Sequence, residues 1–249
     1  MRYFCSMIPK NLIIERSYNG PPNSGNGGYS CGILGQYIDG PAEVRLSVPP
    51  PLDKSLRVEK EEDTLYLKDG DTLVATAKPT SLSASLPAPV SYAAAEAASA
   101  KYIGFEGHHF HTCFVCGPSR EPADGLRIFA GATGQESVVA APWLPHDALF
   151  DESQRLKKVF YWAAMDCPSY FALVGERMSV LLLGKMACHI ENEIRQGERI
   201  VVMAWKERIE GRKHYSGTVL YGEQGELKSY SQNLWIALSE AQAAKIGAV

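Results

Sequence analysis

One pattern occurs twice in this chain, and it limits the fold more than composition does. In the first half a glycine-rich entry, Gly20-Pro21-Pro22-Asn23-Ser24-Gly25-Asn26-Gly27-Gly28, opens a helix-like run from Tyr29 to Tyr37. Strand-like segments follow at 42–48, 55–59, 64–67 and 72–77, and in the first of these Val44, Leu46 and Val48 alternate as in a half-buried strand. The last two flank Lys68-Asp69-Gly70-Asp71, a hairpin turn signal. In the second half a helix-like run, Val159 to Pro168, precedes strand-like segments at 180–183, 186–190, 199–205, 215–221 and 227–238, with Gly222-Glu223-Gln224-Gly225 as the matching turn. Strand candidates at 10–17 in the first half, and at 125–129 and 136–141 in the second, precede the two helices. A strand, a helix and then several antiparallel strands, given twice, predict a duplicated α+β unit.

Residues 79–101 are rich in Ser, Ala and Pro and separate the halves, with a helix predicted over Ser91–Ala100. The expected organisation is an N-terminal domain at 1–80, a linker and crossover at 81–119, and a C-terminal domain at 120–249. The 249 residues suffice for two domains of ordinary size, and 45% hydrophobic with 21% charged residues is a globular balance. A net charge of −3 argues against broad binding to nucleic acid or anionic membrane. No apolar run approaches the roughly 20 residues that span a bilayer, and the N-terminus has no clear signal-peptide core. Of six cysteines only Cys113 and Cys116 are closely spaced, so no disulfide framework is read and a reducing cytoplasm is expected.

The candidate chemistry is concentrated at the two helices. Gly27 and Gly28 offer backbone N–H groups unobstructed by side chains, a site for an oxyanion, although a tight turn would also use them. Asn26 could hydrogen-bond a substrate, but capping the helix is its simpler role. Asp166 stands among Trp162, Ala164 and Met165, where an acid is costly unless it is bonded or faces a cavity. It is either a structural Asp before Cys167-Pro168 or a base or nucleophile whose pKa desolvation would raise. Gln36 and Ser169 are polar helix residues that could face the same cavity. Arg212 and Lys213 could meet anionic phosphates or be solvated hairpin charges, with Arg177 and Lys185 less specific. His108, His109 and His111 upstream of Cys113-x2-Cys116 supply zinc-ligand types. No second Cys pair follows, so a metal-free crossover is expected.

The element order resembles the hot dog fold, in which a curved antiparallel sheet wraps a central helix. Two copies in tandem resemble double hot dog acyl-CoA thioesterases of the phenylacetic-acid-pathway and medium-chain types. Gly20-Pro21 through Asn26-Gly27-Gly28 is similar to that family's Gly-Pro and His-Gly-Gly helix entry. Cys113-Phe114-Val115-Cys116-Gly117-Pro118 with Gly125-Leu126 is similar to its Cys-Phe-x-Cys-Gly segment, and Gly211 to Gly225 with Trp235-Ile236 to its final hairpin. Two departures are visible. Asn26 replaces the usual His, with Gly35 where the first helix would carry its acid, and Lys157-Lys158-Val159 stands in place of His-Gly-Gly in the second half.

The resemblance implies an acyl-CoA thioesterase releasing a carboxylic acid and free coenzyme A, with no metal or redox cofactor. It implies one composite site in which Gly27 and Gly28 face Asp166, with Asn26, Gln36, Ser169, Arg212 and Lys213 toward the substrate. It also implies a homodimer of double hot dog chains. The alternative is a non-catalytic acyl or acyl-CoA binding protein on the same fold. A hydratase is disfavoured because no Asp and His stand at the required helix-and-turn spacing.

Overall fold

The computed structural model describes residues 8–175 and 179–246, so Arg177 lies outside the described residues. In the first half it forms β1 (Asn11–Leu12), α1 (Gly27–Gly35), β2 (Ala42–Leu46), β3 (Leu56–Glu61), β4 (Thr64–Asp69) and β5 (Thr72–Pro79). A connecting helix, α2 (Tyr92–Ser99), leads to β6 (Gly131–Ala132), β7 (Val138–Trp143), α3 (Lys158–Ala164) and α4 (Cys167–Val174). The chain continues as β8 (Leu181–Ile190), β9 (Ile200–Glu210), β10 (Lys213–Gly222), β11 (Leu227–Ala237) and α5 (Glu240–Lys245).

All the strands join one sheet in the order β1-β3-β4-β5-β2-β8-β11-β10-β9-β7-β6, and each neighbouring pair is antiparallel. Matching β1 with β7, β2 with β8, β3 with β9, β4 with β10 and β5 with β11 makes one half the reverse of the other. The predicted duplication is therefore present in the topology. The halves meet where β2 pairs with β8, with Ala42 opposite Cys188 and Arg45 opposite Lys185. Lys185 Nζ reaches Glu43 Oε2 across this seam at 2.7 Å.

The two central helices cross in close contact and run in opposite directions. Gly28 of α1 lies against Trp162 and Asp166, whereas Gly32, one turn later, lies against Val159 and Trp162. A Cβ on Gly28 would come within 2.5 Å of the Trp162 carbonyl, and one on Gly32 within 2.8 Å of the Val159 carbonyl. On Gly35 it would lie 2.6 Å from the Trp162 ring. Gly28 and Gly32 thus let α1 approach the backbone of α3, and Gly35 leaves room for the Trp162 ring. Gly28 to Gly35 are all buried, so the contact rather than helix propensity holds α1 together.

Several expectations need correction. The run from Val159 to Pro168 is not one helix: α3 ends at Ala164 and α4 begins at Cys167. Pro168 lacks an N–H and its ring conflicts with the carbonyl four residues back, so the helix cannot pass through it. The interrupted backbone is satisfied from the sheet, where Thr218 Oγ1 donates to the Met165 carbonyl at 2.9 Å. Segment 125–129 is not a strand either. Leu126 and Ile128 donate to the carbonyls of Phe114 and Val115 in the crossover, with Arg127 between them at φ 53°. The first strand shrinks to Asn11–Leu12, segments 180–183 and 186–190 merge into β8, and α5 was not foreseen. The Lys68–Asp71 turn holds, with Gly70 at φ 59°.

Gly32→Ala tests the close contact with opposing effects of known sign. In an open helix it would stabilise by up to about 1 kcal/mol, but here its methyl meets the Val159 backbone, and overpacking of this kind costs about 1–3 kcal/mol. The urea unfolding midpoint should fall; a midpoint that rises would show that α1 and α3 can separate without loss.

Candidate functional site

The site begins at the break between α3 and α4. Asp166, freed from regular helix geometry with ψ −83°, turns its carboxylate toward the start of α1 while remaining 2% exposed. Oδ2 accepts from Gly28 N–H at 2.9 Å and from Asn26 Nδ2 at 2.7 Å, joining residues 138 and 140 positions apart. Asn26 serves both helices. Its Oδ1 accepts from Tyr29 N–H at 2.9 Å, capping α1, while its amide nitrogen holds the carboxylate. Asp166 Oδ1 has no hydrogen-bond partner among the described residues. Burial pushes the Asp166 pKa up to about 7, against the opposing pull of the Gly28 and Asn26 donors and with a smaller upward push from Cys113.

Gly27 and Gly28 are thus brought to Asp166, but they are not equivalent. The Gly28 N–H is engaged by the carboxylate itself, and the Gly28 Cα packs against α3. Among the described residues Gly27 N–H has no hydrogen-bond partner, and Gly27 lines a cavity of about 580 Å³ together with Asn26 and Asp166. That size suits a small organic group. The cavity walls are mostly apolar, including Leu46, Val48, Phe110, Phe171, Leu183 and Trp235, and its rim carries Arg212 and Lys245.

Three other sequence candidates stand away from this cavity. Gln36 follows the far end of α1 and donates to the Ile33 carbonyl at 3.1 Å. Its distance from the start of the helix removes it from the site. Ser169 is fully buried, donating to the Asp166 carbonyl at 2.7 Å and accepting from Trp235 Nε1 at 2.8 Å. It braces the break from behind. Lys213 begins β10 exposed and is not a lining residue, whereas its neighbour Arg212 is, with Nε bonded to the Ala237 carbonyl at 2.9 Å. Lys245 escaped the sequence reading because the short helix α5 was not expected. Its signal was present as the capping box Ser239 to Gln242.

The crossover also enters the site. Cys113 and Cys116 line the cavity beside Cys167, the residue after Asp166. Asn26 Nδ2 lies 3.8 Å from Cys113 Sγ and 3.7 Å from Cys167 Sγ. Hydrogen bonds from neighbouring groups hold the Cys113 thiol well below its ordinary pKa, while burial pushes Cys116 and Cys167 well above theirs. The reciprocal end of the helix pair is different. There the Trp162 ring packs on Gly35, and Lys157 N–H is bonded to the Leu149 carbonyl at 3.1 Å.

Such an arrangement can hold a neutral or charged carboxyl beside an apolar chamber with a backbone donor nearby. Among the described residues no helix is long and apolar enough to cross a membrane. No protein-family model matches the chain, and no curated protein matches it. Solved structures do. A protein assigned as a thioesterase II in Thermobifida fusca superposes with a TM-score of 0.59 at 11% identity, covering 94% of each chain. The tesB protein of Mycobacterium avium subspecies paratuberculosis gives 0.56 at 10% identity, covering 88% of this chain and 90% of the other. A conserved protein of unknown function with a hot dog fold, from Alicyclobacillus acidocaldarius, gives 0.52 at 10% identity over 92% of each chain. These full-length matches and the mirrored strand order identify the chain as a double hot dog protein of the α+β class.

Proposed function

We propose that the protein is a thioesterase-like hydrolase that cleaves acyl-CoA thioesters at Asp166. The observation that carries the reading is the division of labour in one buried carboxylate: Oδ2 is tied to α1, and Oδ1, in a cavity-lining residue, has no partner among the described residues. In this reading the acyl group occupies the apolar chamber, with its thioester carbonyl toward Gly27 N–H. Asp166 Oδ1 takes a proton from a water molecule, whose oxygen attacks the carbonyl carbon. The oxyanion that develops is stabilised by the Gly27 donor, a contribution of about 3 kcal/mol where such a donor is well aligned. Collapse breaks the carbon–sulfur bond, and the proton passes to the leaving thiolate. The products are a carboxylic acid and free coenzyme A.

Arg212 and Lys245 at the rim suit the phosphates of the coenzyme A handle. A reducing compartment such as the cytoplasm fits the free thiols of Cys31, Cys113, Cys116, Cys167 and Cys188.

Measurements of turnover and of KM test this function. Asp166→Asn should lower thioester turnover by about a hundredfold or more while the variant remains folded. Unchanged turnover in a folded variant would remove Asp166 from the chemistry. Absence of thiol release by the unaltered protein across an acyl-CoA panel, with binding retained, would favour an acyl-CoA binding protein instead. The double variant Arg212→Ala with Lys245→Ala should raise KM for acyl-CoA by about tenfold with kcat held, as expected when charge-assisted bonds common to ground and transition states are removed. Acyl-pantetheine, which lacks the nucleotide phosphates, should be cleaved equally well by both proteins; an equal KM rise for it would refute phosphate recognition.

A further inference from the structure

The expectation of a metal-free crossover rested on the absence of another cysteine pair after Cys116. Folding supplies the missing thiol from a distant position. Cys167, placed by the helix break, brings Sγ to 3.6 Å from Cys113 Sγ, and the sulfurs of Cys113, Cys116 and Cys167 all lie within 4.8 Å of one another. We propose that these three cysteines bind one zinc ion as thiolates.

The geometry fits without a change of fold. Zn–S bonds of about 2.3 Å at tetrahedral angles separate sulfurs by about 3.8 Å, close to the spacing already present. Thiolates are the ligands that select zinc over hard cations. Polar donors face these sulfurs. Asn26 Nδ2, which gives one hydrogen to Asp166, faces Cys113 and Cys167 at 3.8 and 3.7 Å. His108 Nε2 approaches Cys116 Sγ at 3.3 Å. Phe110 N–H donates to His108 Nδ1 at 2.9 Å, so the imidazole proton sits on Nε2 and points at that sulfur. Such donors outside the ligand set stabilise a metal-bound thiolate. The tight turn is maintained by Gly117, where a Cβ would lie 2.6 Å from the Cys113 backbone.

Binding displaces the thiol protons to solvent, and Zn²⁺ with three thiolates leaves one negative charge for the Asn26 and His108 donors to offset. The fourth position of the ion falls to an exogenous donor from the cavity, which all three cysteines line. The ion would tie the crossover directly to the residue after Asp166.

Metal analysis of the full chain, purified without chelator under reducing conditions, should find about one zinc per chain. Cys167→Ala should lower this at least tenfold, whereas Cys188→Ala, buried in β8, should retain it. Cobalt substitution should give sulfur-to-metal charge-transfer absorption that Cys113→Ala loses. Less than about a tenth of a zinc per chain in the unaltered protein, both as purified and after anaerobic zinc addition, would overturn the proposal. So would undiminished zinc in folded Cys167→Ala. Metal content is read independently of thioester turnover, so failure of the hydrolase reading leaves this result interpretable.

Discussion

One carboxylate oxygen joins the two halves of this molecule at their centre. Asp166 Oδ2 receives a backbone N–H from Gly28 and an amide N–H from Asn26, both from the opposite half of the chain. Hydrogen bonds to a charged acceptor contribute about 1.5–3 kcal/mol each, yet burial still outweighs them and leaves the acid near pKa 7. The contact depends on features spread along the sequence. Pro168 breaks the helix, Thr218 satisfies the Met165 carbonyl freed by the break, and the absence of a side chain on Gly28 admits the Asp166 Cβ. Local structure, packing and candidate chemistry therefore meet in the same few atoms.

The helix pair shows how a repeated fold can hold unlike ends. At one end an acid, an amide side chain and a glycine N–H converge on a cavity. At the other, Trp162 lies over Gly35, and the first turn of α3 is bonded to its own half through Lys157 N–H and the Leu149 carbonyl. The sheet keeps the mirrored order of its five matched strand pairs, with β6 added at one edge, so the unlike ends of the helix pair sit within one scaffold.

The fold was legible in the sequence where the signals are local. The Lys68–Asp71 hairpin, the Gly-Gly entry to α1 and the alternation in β2 each follow from near neighbours. The duplication followed from their order. Asp166 also stood out, because an acid in an apolar helix needs a reason. What could not be read were contacts between distant residues. Gly28, Gly32 and Gly35 look like weak points in a helix until α3 lies against them. Gln36 and Ser169 were plausible lining residues because residue type carries no direction. Cys167 gave no sign of joining Cys113 and Cys116, since only the helix break brings it there. Arg127 at positive φ likewise gave no warning that segment 125–129 would pair with the crossover instead of the sheet.

The seam between β2 and β8 has a consequence beyond joining the two halves of the sheet. In a dimer of identical single units, every inherited change appears at both ends of the helix pair at once. An indole that suited one end would then also intrude on the other. Here the two units that meet at this seam belong to one chain, linked through the crossover between β5 and β7, so each codon answers to one location only. The acid at one end and the aromatic plug at the other can therefore be encoded separately within a single reading frame.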